Sequence, residues 1–243
     1  MNLLLLGANG SHVQSIGALR AAGFVVTAVD DLPVALGLQA ADHGVQISPS
    51  RTELVLAALE DFPAPDGVLF TNEEALETAF EVANHFSLSW PPADARSALG
   101  SKEQQRQAWN RDPNLHVAYR TVNSAEALEQ AAEEIGDGKV IVKPSTSRGG
   151  SRGVVLHRRG DEPTKAFQEA TEASIDGRVL VEQFLHGTQI SVDGLIRDET
   201  VAISGVGRNR KQEPPNQVNL AIEYPSSAER EALVGSEDSV AEI

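Results

Sequence analysis

Basic side chains cluster in one short segment of an otherwise acidic chain. Between residues 139 and 160 there are six Lys and Arg residues and no Asp or Glu, whereas the rest of the chain holds 14 basic and 35 acidic residues. The same segment supplies glycines, which let backbone amides approach a ligand closely, and hydroxyl donors. These residues are Gly149, Gly150, Gly153, Ser145, Thr146, Ser147 and Ser151. The combination predicts an anion site that suits phosphate, and the alternative is a solvated surface hairpin.

This loop needs a strand on each side to hold it. Residues 139–143 and 154–157 are short apolar runs joined by small residues, a pattern that predicts two antiparallel strands forming a flap. Lys143 therefore lies on a strand and precedes the glycines. A Walker loop has its lysine after the glycines, at the start of a helix, so this segment is a different kind of phosphate site.

The first half of the chain alternates strand-like and helical segments. Strands are predicted at 3–6, 24–29 and 67–71, and helices at 11–22, 52–61 and 73–85. Such alternation is typical of a parallel sheet with helical crossovers. Two prolines after Trp90 break the pattern, and we expect a domain boundary between about residues 92 and 115.

The second half mixes short strands with longer helices. A helix at 101–109 is followed by predicted strands at 119–122, 139–143, 154–157, 179–184, 189–196 and 201–206, and by predicted helices at 124–135 and 164–174.

The composition excludes several classes of protein. At 243 residues, 41% hydrophobic and 23% charged, the chain can bury a core as one large domain or two smaller ones. A formal charge of -15 argues against nucleic acid and membranes as partners, and no apolar run approaches a membrane span of about 18 residues. The chain has no cysteine, which excludes disulfides and thiolate sites and fits a reducing, cytoplasmic setting.

Three segments together resemble the ATP-grasp superfamily, in the branch that contains carbamoyl phosphate synthetase, biotin carboxylase and the carboxylate–amine ligases. They are SKEQQRQAW at 101–109, VIVKPSTSRGGSRGVV at 140–155 and VLVEQFLHGTQISVDGLI at 179–196. The resemblance implies an α/β fold in three parts. A Rossmann-like domain would span 1–95, a linker helix and an α+β lid subdomain 96–182, and the beginning of a C-terminal ATP-grasp subdomain 183–243.

The resemblance also implies an ATP site. Lys102 and Lys143 resemble the two cations that hold the α- and β-phosphates, and the Ser/Gly loop resembles the lid over the β- and γ-phosphates. Glu182 is similar to the residue that accepts a hydrogen bond from the exocyclic amine of adenine. The implied site residues are Lys102, Lys143, Ser145, Ser147, Gly149, Gly150, Ser151, Arg152, Gly153, Glu182, Gln183, Phe184, Leu185 and Gln189.

Two features depart from the family pattern. Gln189 stands where the family usually has an acid that binds the ribose hydroxyls, although an amide still bonds hydroxyl groups. The family's Mg²⁺ ligands would fall beyond Ile243, so no metal ligand is assigned. Asp193 and Glu223 are acidic residues of the C-terminal part to which no role is assigned. Residues 228–243 resemble a family helix that is cut short. We therefore expect either a truncated chain with little turnover, or a complementing chain or further copy that completes the site.

The N-terminal half contains a turn that is a candidate ligand site. A Gly-rich turn followed by Asp30 invites a dinucleotide interpretation, but Asn9 and His12 replace the second and third glycines of that fingerprint. The resemblance implies instead that Asn9 and its turn face the acceptor. Glu73 and Glu74 occupy a family position near the same cleft, and two acids at a helix start also complement the helix dipole.

A second basic cluster follows the strand predicted at 201–206. It contains Arg208, Arg210 and Lys211. In the family a cation near this position reaches the γ-phosphate or the acyl phosphate, so Arg208 and Arg210 are assigned to the substrate. A solvated turn is the alternative.

The resemblance implies an ATP-dependent ligase that joins a carboxylate to an amine through an acyl phosphate and releases ADP and phosphate. Its ligands would be ATP, Mg²⁺ and a small carboxylate or amine substrate. The alternatives are a non-catalytic ATP-binding module and, ranked last, an NAD-dependent oxidoreductase, against which the broken glycine fingerprint counts. The sequence does not identify the acceptor.

Overall fold

The chain folds into two units. A computed structural model describes residues 1–89, 93–136, 138–147, 151–197, 200–212 and 219–226. The first unit contains Met1–His116, Ser145–Arg152 and Ala173–Asp176, and the second contains Val117–Pro144, Gly153–Glu172 and the chain from Gly177. The three-way division at 95 and 182 stays a prediction, and the helix suggested for 228–243 lies outside the described residues.

A parallel sheet forms the centre of the first unit. Its strands are β1 (Asn2–Leu6), β2 (Val25–Asp30), β3 (His43–Gln46) and β4 (Gly67–Phe70), in the order β3-β2-β1-β4. The described helices are α1 (Val13–Ala21), α2 (Leu36–Ala40), α3 (Thr52–Leu59), α4 (Leu76–His85), α5 (Ala93–Gly100) and α6 (Lys102–Trp109). Short 3-10 turns occur at Gly10–His12, Glu73–Ala75 and Pro113–Leu115.

Helices cover both faces of this sheet. Leu4 and Leu6 of β1 belong to one apolar cluster with residues of α3 and α4, and Leu5 belongs to a second cluster with Ile16 of α1. Successive side chains of a strand point to opposite faces, so this leucine run is buried on both sides, as expected of a parallel strand. Each fully buried leucine stabilises the unit by about 1.5–3 kcal/mol.

The loops after β1, β2 and β4 meet at the carboxyl edge of the sheet. Gly7 has φ +88°, and a Cβ there would lie 2.3 Å from Thr71 Oγ1, so the turn requires glycine. Asp30 is buried and accepts hydrogen bonds from the backbone N–H groups of Ala8 at 2.7 Å and Leu32 at 2.9 Å. This carboxylate therefore fixes the turn after β1.

Two antiparallel sheets form the second unit. The four-stranded sheet has the order β5-β8-β6-β7, and the three-stranded sheet has the order β11-β10-β9. The strands are β5 (Tyr119–Val122), β6 (Lys139–Pro144), β7 (Val155–Arg158), β8 (Val179–Gln183), β9 (Ile190–Arg197), β10 (Thr200–Lys211) and β11 (Asn219–Glu223), and the helices are α7 (Ala125–Ile135) and α8 (Pro163–Ala173). The predicted antiparallel flap of β6 and β7 is confirmed.

One face of the four-stranded sheet is apolar and the other carries charges. Four fully buried valines form a cluster with residues of α7 and α8: Val140, Val142, Val179 and Val181. Alternation along β6 and β8 places Lys139, Ile141, Lys143, Leu180 and Glu182 on the opposite face. We call this opposite side of the sheet the charged face.

Several elements differ from the sequence prediction. The helices α2 and α5 and the strands β3 and β11 were not predicted, and β10 continues to Lys211 rather than ending at residue 206. β10 extends beyond residue 206 because it pairs with β9 as far as Arg208 and with β11 from Arg208 to Lys211. Among the helices of the described ranges, none combines the length and apolar character needed to span a bilayer.

Candidate functional site

A buried ion pair lies on the charged face. Lys143 and Glu182 occupy neighbouring antiparallel strands as diagonal neighbours, and their side chains are only 12% and 9% exposed. Lys143 Nζ donates a hydrogen bond to Glu182 Oε1. Each charge has lost most of its hydration and depends on protein partners. A ligand could bind here by replacing these partners. An anion would take the place of the carboxylate at the Lys143 ammonium, and an amino group would take the place of the ammonium at the Glu182 carboxylate.

The segment that follows β8 is anchored through Phe184. Lys139 Nζ lies 4.3 Å from the centroid of the Phe184 ring, and the His186 ring meets it edge-on at 5.0 Å between centroids. The N–H of Gln183 donates to the carbonyl of Ala118 at 2.9 Å, which fixes the last residue of β8. Sequence reasoning counted Lys139 only as part of the basic segment and missed this contact.

Lys102 holds the beginning of the Ser/Gly loop in the first unit. Its Nζ donates to Ser147 Oγ at 3.0 Å, and its backbone N–H donates to the Ser145 carbonyl at 2.8 Å. The hydroxyls of Ser101 and Ser145 lie 3.3 Å apart, and Ser145 is fully buried. Three predicted phosphate-binding residues, Lys102, Ser145 and Ser147, are therefore brought together at the N-terminus of α6.

The later part of the loop is described only from Ser151. Ser151 and Gly153 both have left-handed backbones, with φ 56° and φ 69°, and Ser151 and Arg152 are exposed. A serine in this region is strained relative to glycine. The predicted phosphate contacts at Gly149 and Gly150 lie outside the described residues.

The three-stranded sheet divides the remaining predicted residues between its faces. Asn209 donates its backbone N–H to the Gln189 carbonyl and accepts a hydrogen bond from Ser191 Oγ, both at 2.9 Å. Alternation along the strands therefore places the side chains of Gln189, Ser191 and Asn209 on one face. The sheet register shifts between Arg210 and Lys211, and burial lowers the pKa of Lys211.

Arg208 and Arg210 lie on the opposite face of this sheet. Arg208 is in register with Ile190 and Glu223, and the guanidinium of Arg210 is 3.5 Å from the Glu223 carboxylate. Their predicted contact with a substrate phosphate stays a prediction.

Asp193 and Glu223, which the sequence analysis left without a role, have partners within the protein. Asp193 accepts a hydrogen bond from Tyr224 Oη at 3.1 Å, and this bond, together with the carboxylate charge, raises the pKa of the Tyr224 hydroxyl. Glu223 faces Arg210. Within the described part of the chain, no group of three or more His, Asp or Glu side chains is placed to hold a metal ion.

The predicted acceptor residues share the carboxyl edge of the parallel sheet. Asn9 Oδ1 accepts hydrogen bonds from the backbone N–H of Ser11 at 3.0 Å and from its hydroxyl at 2.6 Å. Glu73 and Glu74 are exposed at the start of the 3-10 turn after β4. Both oxygens of Asp30 accept backbone hydrogen bonds, and the side chain is buried, so this carboxylate holds the turn together.

Comparison with known proteins identifies the fold. Residues 103–210 match the family model described as carbamoyl-phosphate synthase L chain, ATP binding domain. An L-amino acid ligase from Bacillus licheniformis superposes with a TM-score of 0.76 at 20% identity, over 99% of this chain and 59% of that one. The chain has the ATP-grasp fold. The resemblance inferred from the sequence is therefore confirmed, as is the α/β fold class.

Further ATP-grasp structures agree with this assignment. Biotin carboxylase from Campylobacter jejuni, in a complex with β-γ-ATP, has a TM-score of 0.73 at 19% identity, over 99% of this chain and 58% of that one. The N5-carboxyaminoimidazole synthetase from Staphylococcus aureus, with bound ADP, has a TM-score of 0.74 at 13% identity, over 99% and 62%. The chain thus spans less than two thirds of the length of these ATP-grasp structures.

Proposed function

We propose that this chain is the nucleotide-binding part of an ATP-dependent ligase that joins a carboxylate to an amine. The observation that carries the proposal is the buried Lys143–Glu182 pair, which lies inside the matched segment. A lysine ammonium is a compact point charge that suits phosphate. A carboxylate accepts hydrogen bonds from an amino group such as that of adenine.

Nucleotide binding would exchange the partners of this pair. Without a ligand, Glu182 neutralises Lys143. With ATP bound, phosphate oxygens take the place of the carboxylate at the Lys143 ammonium, and the adenine amino group takes the place of the ammonium at Glu182. The main chain at Gln183 and Leu185 supplies donors and acceptors to the edge of the base, and Gln189 bonds the ribose hydroxyls.

The ligation itself would proceed in two steps. A substrate carboxylate oxygen attacks the γ-phosphorus, the bond to the bridging oxygen breaks, and ADP leaves. The amine then attacks the acyl carbon, the carbon–oxygen bond to phosphate breaks, and the nitrogen loses a proton. The lysine would stabilise charge on the transferring phosphoryl group, since positioning and electrostatics dominate phosphoryl transfer.

The proposal also includes Mg²⁺, the phosphates of ATP and the acceptor substrate. Mg²⁺ accompanies ATP in phosphoryl transfer, but the described residues assemble no metal-binding cluster, so no step is assigned to a metal held by them. Lys102 and the Ser/Gly loop would contact phosphates. Asn9, Glu73 and Glu74 would face the acceptor at the carboxyl edge, where ligands of open α/β sheets bind.

Calorimetric titration with ATP, ADP, GTP and NADH tests the binding part of the proposal. We expect ATP and ADP to bind and NADH to give no heat above dilution. The ligation part is tested by ADP formation over a panel of amino acids with Mg²⁺, with omission of the amine as the matched control. Binding of NADH in preference to ATP would overturn the proposed function.

A further inference from the structure

We propose that Lys139 is a positioning residue of the nucleotide site, which acts through Phe184 and not through the phosphates. Its ammonium, placed on the face of the Phe184 ring, would hold the ring and the main chain that reads the base. This inference rests on the proposed function, because it assigns a role within the same site.

The register of the sheet brings Lys139 to the end of β8. Val140 of β6 is in register with Gln183, the last residue of β8, so Lys139 lies beside the segment that leaves the strand. Lys139 Nζ is 4.3 Å from the ring centroid of Phe184, within the range of a cation–π interaction. The edge-on contact with His186, at 79° between ring planes, supports the ring from a second side chain.

The Phe184 ring anchors the main chain that follows the end of β8. Gln183 is bonded through its N–H to Ala118, but the strand ends there. Leu185 is exposed, and Gly187 has φ +141°, a backbone that other residues rarely adopt. The contacts of Phe184 with Lys139 and His186 therefore fix the short stretch on which the peptide groups of Gln183 and Leu185 depend.

Two lysines of one strand thus have different partners on the charged face. Lys143 pairs with the Glu182 carboxylate, whereas Lys139 lies over an aromatic ring. Lys143 lies beside the carboxylate that phosphate would replace, whereas Lys139 is the first residue of β6 and lies 4.3 Å from the centroid of the ring that follows β8. We therefore expect Lys139 to remain on Phe184 when nucleotide binds and to affect the base more than the phosphates.

Calorimetry with ATP and with inorganic tripolyphosphate separates the two roles. Lys139→Met keeps most of the side-chain volume and removes the charge, and Lys139→Arg restores a cation that can stack on the ring. We expect Lys139→Met to weaken ATP roughly threefold to tenfold and to leave tripolyphosphate unchanged, with Lys139→Arg close to the wild type. Lys165→Met, on an exposed lysine of α8, is the control for loss of one positive charge.

Variants of Phe184 test whether Lys139 acts through the aromatic ring. In Phe184→Leu the cation has no ring to hold, so adding Lys139→Met should produce no further loss of ATP affinity. Equal weakening of ATP and tripolyphosphate by Lys139→Met would overturn the inference and leave the proposed function standing. An unchanged ATP affinity in Lys139→Met would also overturn it. Failure of the wild type to bind ATP would overturn the proposed function and this inference together.

Discussion

Replacement of Lys143 by Met is expected to separate the stabilising role of the buried ion pair from its role in binding. The substitution keeps an unbranched side chain of similar length but removes the ammonium that faces Glu182. The remaining carboxylate is only 9% exposed, so it recovers little hydration. Breaking a buried pair by removing one partner costs about 3–5 kcal/mol, and we expect a loss near the lower limit because both side chains retain some contact with water.

Removal of both charges should restore most of that loss. The double variant Lys143→Met with Glu182→Met buries neither charge of the pair, and exchange of a buried ion pair for hydrophobic residues of similar volume is often close to neutral in free energy. We expect its unfolding free energy to lie within about 1 kcal/mol of the wild type. Urea denaturation followed by circular dichroism measures all of the variants. A double variant as unstable as Lys143→Met alone would refute the reasoning about the carboxylate that has lost the Lys143 ammonium.

The same variants should respond differently to ATP. A charge-assisted hydrogen bond contributes about 1.5–3 kcal/mol, which corresponds to a loss of roughly tenfold or more in affinity for Lys143→Met. The double variant should regain stability but not ATP binding, because it still lacks the ammonium. Arg159→Met, an exposed basic residue of the same segment, is the control and should bind ATP like the wild type. Equal ATP affinities for the wild type and Lys143→Met would remove Lys143 from the site.

Three further outcomes follow from the structure. ATP should bind roughly tenfold more tightly than GTP, because the guanine carbonyl would face the Glu182 carboxylate and leave polar groups unpaired; equal calorimetric affinities would remove Glu182 from base recognition. Gly7→Ala should destabilise the chain by several kcal/mol more than the roughly 1 kcal/mol expected for Gly23→Ala in denaturant titrations, because both glycines have φ +88° but only Gly7 has an atom, at 2.3 Å, in the path of a Cβ. The backbone N–H of Val26 and the Arg20 guanidinium lower the pKa of the Asp42 carboxyl, so the stability that Asp42 adds is present above its unfolded pKa and is lost as pH falls through its folded pKa. The difference in unfolding free energy between the wild type and Asp42→Asn should therefore shrink in strongly acidic buffer, and a constant difference would contradict this assignment.

The regular elements with a strong pattern could be predicted from the sequence. The strand Tyr119–Val122 has the predicted bounds, and the flap of β6 and β7 follows from two apolar runs around small residues. The short elements could not be predicted in this way. α2 has five residues and buries only Gly37, which is packed so closely that a Cβ would lie 2.1 Å from the Ala8 carbonyl oxygen. That contact with a distant turn leaves no local signal.

The sequence analysis assigned residues to the candidate site one at a time and did not predict the contacts between them. Lys143 and Glu182 were both assigned to ATP, yet their pairing depends on the antiparallel register of β6 and β8 across 39 positions, which no local pattern contains. The same register brings Lys139 to Phe184. Arg208 and Arg210 illustrate the reverse case, because their place in a basic cluster said nothing about which face of β10 they occupy.

The first residues of the Ser/Gly loop are held before any ligand arrives. The N–H of Ile175 donates to the Thr146 carbonyl at 3.1 Å, and the N–H of Lys102 donates to the Ser145 carbonyl at 2.8 Å. Ordering one backbone residue costs about 1–2 kcal/mol in conformational entropy, and for these residues that cost is already met by folding. Amide hydrogens in such bonds exchange with deuterium only when the bonds open. The loop therefore presents a preorganised edge, and the amides of Lys102 and Ile175 should exchange slowly with or without nucleotide.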